Sequence, residues 1–164
     1  MAASVRAHAN LNLFLARRAL ACRDSEEFVA CWGEHSELVA CDLAIFRLQL
    51  AYRCHLADLC EQRQLSLRPR SAEQACRELL ARDSLIPEMR ELAEREQSQH
   101  WLKDLLAEDF LPRAEADGAT GAEALDVIAR SQAHGQRQDV EQLTVVIGEL
   151  EALFARHRDT QQEY

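Results

Sequence analysis

Metal or nucleophile chemistry in this chain would have to use its six histidines and six cysteines. Carboxylate-bridged di-iron bundles place a Glu three residues before a His, because positions i and i+3 share one helix face. The residues three before His8, His35, His55, His100, His134 and His157 are Val5, Trp32, Tyr52, Gln97, Ser131 and Phe154. The di-iron pattern is therefore absent. The cysteines stand at 22, 31, 41, 54, 60 and 76 and form no C-x-x-C pair. Cys54, His55 and Cys60 are close in sequence, but neighbouring helical residues point about 100° apart, so a zinc site does not follow. No metal is expected.

Two other constellations carry some chemistry. Arg95 and His100 are five residues apart, a spacing at which an Arg could hold a phosphate while a His moves protons. That makes a ribonuclease-like or phosphate-handling enzyme one reading, although Glu91, Glu94, Glu96 and Asp104 nearby would repel phosphate. Arg47, Tyr52, Arg53 and His55 gather polar groups in an otherwise apolar stretch and make a candidate ligand pocket between helices. The plainer reading of His55 is a core histidine with a hydrogen-bond partner. Asp42 and Asp58 share that stretch with Arg47 and Arg53, and any buried charge there would need a partner. Nucleophile-elbow, P-loop and dinucleotide motifs are missing, so no cofactor is expected and the balance leans away from an enzyme.

The elements that must position these residues are helices. The chain holds only 5 Gly and 3 Pro, too few for a turn-rich β fold. Leu11, Phe14, Leu15 and Ala19 give a stripe for a first helix over 5–22. Asp24 with Glu27 reads as a capping box for a short segment through Trp32, and whether residues 5–34 form one helix or two is open. Over 37–62, Leu38, Cys41, Ile45, Leu48, Tyr52, His55 and Leu59 recur at three- and four-residue steps. A second stripe of Val39, Leu43, Phe46, Leu50, Cys54 and Ala57 runs beside it. A helix apolar on two sides belongs in the middle of a bundle. A loop over 65–70 leads to Ser71, a cap for a short helix to about Arg82. Ser84 is a cap for a helix over 84–111, with Pro87 in its first turn and Leu92, Trp101, Leu102, Leu105 and Leu106 inward. Ala114–Gly121 is a small-residue linker, and Thr120 with Glu123 predicts a short helix through His134. Asp139 caps a last helix to about His157. The expectation is an all-α helix bundle of four main helices plus two or three short ones, as a single domain over 1–158 with a polar tail at 159–164.

Several core stretches also form a pattern: Leu13-Phe14-Leu15-Ala16, Leu43-Ala44-Ile45-Phe46-Arg47-Leu48, His100-Trp101-Leu102 leading into Leu105-Leu106, and a Leu-rich helix ending in Tyr164. In order and spacing they resemble a family of short, all-helical gammaproteobacterial proteins known only as a domain of unknown function. The resemblance implies a bacterial cytosolic origin. It brings no activity and no functional residues, and the Ala/Gly-rich linker and six cysteines depart from it.

Charge narrows the partners. The net charge of −9 disfavours general nucleic-acid binding, which needs clustered cations. Residues 1–23 nonetheless carry four Arg and no acid. No apolar run is long enough to span a membrane, and with no export signal the thiols are expected to be reduced in a cytoplasmic protein. The leading expectation is a non-enzymatic interaction module presenting helix faces to a protein partner or to itself, with a homodimer as the simplest self-association. An acidic inhibitor or immunity-type protein for a basic partner is a variant of it.

Overall fold

In a computed structural model, which describes residues 4–98, 101–110 and 138–162, the protein is an all-α helix bundle. Helix α1 spans Val5–Cys22, α2 Glu26–Trp32, α3 Ser36–Glu61, α4 Ala72–Leu80, α5 Pro87–Gln97, α6 Trp101–Ala107 and α7 Val140–Gln162. One 3-10 turn, Gly33–His35, joins α2 to α3. The predicted linker and the short helix expected over 120–134 lie outside the described residues.

The central helix is α3, as its double stripe implies; it packs against α1, α2, α4, α6 and α7. Its first stripe is buried from Cys41 onward, through Ile45, Leu48, Tyr52, His55 and Leu59. The second stripe is less covered, with Leu43 and Phe46 exposed. Helix α1 runs antiparallel to α3, since Arg6 meets Asp58 while Asn12 meets Arg47. Small residues line that contact: Ala9 and Ala16 on α1, Ala40, Ala44 and Ala51 on α3, all fully buried. They let the two backbones approach, and they differ from the stripe expected for α1. Leu11 and Phe14 point outward, and the buried face is Ala9, Asn12, Leu13, Ala16, Ala19 and Leu20. Size misleads there: a close helix pair selects alanine at its seam.

Helix α7 closes the core with Leu143, Val146, Ile147, Leu150, Leu153 and Phe154. It begins with a reciprocal capping box, in which Asp139 Oδ1 accepts from Gln142 N at 2.8 Å and Gln142 Oε1 accepts from Asp139 N at 3.2 Å. It continues to Gln162, five residues past the expected end, because no Gly or Pro stops it.

Three other boundaries move for local reasons. Residues 5–34 form two helices, and the second is capped by Ser25, whose Oγ accepts from Phe28 N at 3.3 Å. Asp24 is not the cap; its carboxylate is engaged by Arg23 Nε at 2.9 Å. Ser84 is not a cap either. Its hydroxyl donates to Arg82 O after a turn in which Asp83 sits at φ 52°, and α5 starts at Pro87. Finally, the expected 84–111 helix is divided, with Ser98 extended between α5 and α6. A continuous helix would turn Leu105 about 140° away from Leu92. The break lets Leu92, Leu102 and Leu105 all reach the core.

Candidate functional site

The densest polar cluster lies inside the bundle, where α3, α5 and α7 meet. His55 Nε2 lies 3.0 Å from His157 Nδ1, and His157 Nε2 lies 3.3 Å from Glu91 Oε2. Both rings are sealed, at 0% and 1% exposure. His55 stacks on Phe154 with centroids 4.0 Å apart. Hydrogen-bond logic fixes the tautomers of the neutral pair. A carboxylate only accepts, so His157 donates from Nε2 and accepts at Nδ1; His55 must then donate from Nε2. That leaves His55 Nδ1 as a buried acceptor with no protein partner among the described residues.

Electrostatics around the chain are graded. Burial holds His55 well below its ordinary value, and the adjacent His157, Arg158 and Arg6 push the same way. Burial also lowers His157, against the pull of its bond to Glu91. Glu91 is half-buried, and burial alone would raise its carboxyl. Hydrogen bonds from Arg95 and His157 and the charge of Arg156 outweigh this and lower it. Arg95 Nε donates to Glu91 Oε1 at 2.9 Å, and Arg156 donates to the same oxygen. Beneath His55, Arg6 Nε donates to Asp58 at 3.0 Å, and Arg158 donates to Asn10 at 2.9 Å. The ensemble ties α1, α3, α5 and α7 together.

A second cross-link is centred on Glu96. Its Oε1 accepts from Tyr52 Oη at 2.9 Å and from Ala72 N at 2.7 Å, and its Oε2 accepts from Glu73 N at 3.2 Å. Ser71 Oγ takes the next amide, Gln74 N, at 3.1 Å. The first three amides of α4 are thus capped by one side chain from α5 and one from its own start. Burial raises the Tyr52 phenol well above its ordinary value, and the Glu96 carboxylate adds to this.

The sequence candidates therefore separate. Tyr52 and His55 face the core on different partners. Arg47 is half-buried and donates to Asn12 Oδ1 at 3.3 Å. Arg53 is exposed. The four do not converge on one space. Asp58, one of the charges flagged in the same helix, is buried and paired with Arg6. Arg95 is committed to Glu91, and His100 lies outside the described residues. His157 and Glu91 escaped sequence reasoning. His157 continues the buried α7 row after Leu150, Leu153 and Phe154, which is a legible signal; Glu91 has none, because its role comes from another helix.

No family model matches the chain, and no curated protein or solved structure is similar to it. The surface must speak for itself. A groove of about 390 Å³ lies between α1 and α7, floored by Leu20, Val140 and Ile147. Its cations are taken, Arg17 by Glu151 at 2.5 and 2.6 Å and Arg23 by Asp24. No group of three or more His, Cys, Asp or Glu among the described residues is arranged to hold a metal, and no described helix is long and apolar enough to cross a membrane.

The other feature is the outer face of the α1–α3 pair. Asn10 and Arg17 turn one side of α1 to α7, through Arg158 and Glu151. On the other seam, Arg47 reaches Asn12, with Leu43 and Leu50 about a turn to either side of it on α3 and Leu15 a turn beyond Asn12 on α1. Beside it Leu11, Leu43 and Phe46 are 39–48% exposed. At the end of the pair, α2 buries none of its residues and shows Val29 and Trp32 to solvent.

Proposed function

We propose that this protein is a non-enzymatic interaction module that docks a helix of a partner protein along the outer face of α1 and α3. The observation that carries this reading is the group of Leu11, Leu43 and Phe46, large apolar side chains exposed on adjacent helices on the side away from α7. Single exposed apolar residues are ordinary, but several in one place mark an interaction surface. Two antiparallel helices leave a shallow seam between them, and an amphipathic helix fills such a seam with residues at i, i+3, i+4 and i+7. The buried histidine chain supports the reading by elimination, because the richest titratable cluster is sealed and ties helices together.

Replacing Leu43 and Phe46 with serine tests it. Both side chains are substantially exposed, so thermal stability should change by less than about 1 kcal/mol. Affinity purification from cells should return a partner with the wild-type chain and lose it with the double variant. Identical partners for both proteins would refute the reading. A cytoplasmic setting and a homodimer fit the same proposal, with the second copy contributing the helix; the mass in solution separates self-docking from a different partner.

A further inference from the structure

We infer that the helix docked on the α1–α3 face is acidic, its carboxylates received by Arg18, Arg47 and Arg53; this rests on the docking reading above. The protein carries 28 Asp and Glu, yet none falls within residues 5–22 or 43–57, the stretches that form this face; the acid nearest to it on α3, Asp42, borders it one turn before Phe46 and is partly buried. Chain-wide acidity makes that gap informative. The charged side chains that do occur there are all arginines. Arg6 and Arg17 are spent inside the molecule, on Asp58 and Glu151. Arg18 and Arg53 are exposed and form no ion pair among the described residues. Arg47 bonds the uncharged Asn12, and its guanidinium lies 5.9 Å from the ring of its neighbour Phe46.

Helical spacing puts these cations on the margins of the apolar row. Arg18 follows Leu11 by seven residues; Arg53 follows Phe46 by seven and Leu50 by three. Because α1 and α3 are antiparallel, Arg18 lies at the Leu43 end of the seam and Arg53 at the opposite end. Arg47 sits between them. An apolar strip with a cation at each end and one at the middle is complementary to a helix with a leucine-type stripe flanked by Glu or Asp. Such charges set the register and speed encounter more than they add affinity. A nucleic acid is a poorer fit, since three arginines on a chain of net charge −9 release few counterions. An anionic bilayer would repel the rest of the acidic surface.

Two synthetic helices of about 20 residues decide the matter. They carry the same leucine stripe, flanked by Glu in one and by Lys in the other. Fluorescence anisotropy with the full chain should show the Glu peptide binding at least about tenfold tighter, with affinity falling as salt rises from about 0.05 to about 0.5 M. Combining Arg18→Glu, Arg47→Glu and Arg53→Glu should reverse the preference. The Arg18→Glu, Arg53→Glu pair, which leaves the Asn12 bond alone, should reduce it. Equal binding of the two peptides overturns the acidic partner and leaves the docking face standing. Failure of both at up to about 1 mM overturns the docking face itself. Chain binding to phosphatidylserine vesicles but to neither peptide overturns both in favour of a membrane surface. A dimer that persists against either peptide puts a second copy on the face and overturns the acidic partner too.

Discussion

His55 shows how a residue that looks like a ligand becomes a structural constraint. Its place in the stripe between Tyr52 and Leu59 made its burial legible, and the need for a hydrogen-bond partner followed from burial alone. The partner's identity did not follow, because His157 is 102 positions away. The pairing has a consequence for pH. Inside the fold, burial first and the neighbouring His157, Arg158 and Arg6 next keep His55 neutral well below its ordinary value of about 6.5. In the unfolded chain it titrates normally. Between those two values the unfolded state binds the extra proton, so the stability is fully present above the unfolded value and is lost as pH falls below it. Burial lowers His157 in the same direction, with Glu91 and Glu88 opposing and Arg156 assisting. Each such histidine can steepen the loss by up to about 1.4 kcal/mol per pH unit. Urea unfolding should therefore give a free energy that falls from about pH 7.5 to about pH 5.5, with a shallower slope in His55→Leu. Equal slopes in the two proteins would sink this account of the pair.

Elements were legible where their signals are local. The caps of α4 and α7 by Ser71 and Asp139, the place of Pro87 in the first turn of α5 and the buried rows of α3 and α7 all follow from neighbours within one turn. Signals failed where the decisive partner is remote. The outward Leu11 and Phe14 depend on how closely α1 approaches α3, and the division at Ser98 depends on which way α6 must face. Glu96 is the sharpest case. From sequence it is an exposed acid four residues before His100. In the fold it receives two backbone amides of α4 and the Tyr52 hydroxyl. A carboxylate at a helix N-terminus also meets the positive end of the helix dipole. Glu96→Ala would leave the buried Tyr52 hydroxyl and the first amides of α4 without this acceptor, at a cost of about 2–4 kcal/mol. Hydrogen exchange should show α4 losing protection well before α3, and Tyr52→Phe, which removes one bond of the three, should cost about 1 kcal/mol. Unchanged protection of α4 in Glu96→Ala would contradict the assignment.

At the scale of the molecule, the helical class and the central position of α3 were readable, because composition and a double stripe report on how much of a helix is covered. The docking face was half readable. The second stripe of α3 was visible, but whether other helices cover it depends on the packing; among the described residues Leu43 and Phe46 stay exposed, with α7 on the opposite side of α1. Cooperativity also belongs to this scale. The α1–α3 pair is joined largely through alanines, which bury little surface each. Helices α4, α5 and α6 add Leu79, Met89, Leu92, Leu102 and Leu105 to the core, and the far end of the chain adds a further row. Leu143, Val146, Ile147, Leu150, Leu153 and Phe154 are all buried, and burying each contributes about 1.5–3 kcal/mol, so α7 supplies on the order of 10 kcal/mol or more. That equals the whole net stability of a typical domain. A chain ending at residue 138 would also expose the His55 ring and strand Arg17 without Glu151. Circular dichroism of that truncated chain should show most of the helical signal gone and no cooperative thermal transition. A native-like melt of residues 1–138 would mean that α1–α6 hold together without α7, and that the histidine chain joins an appendage rather than closing the core.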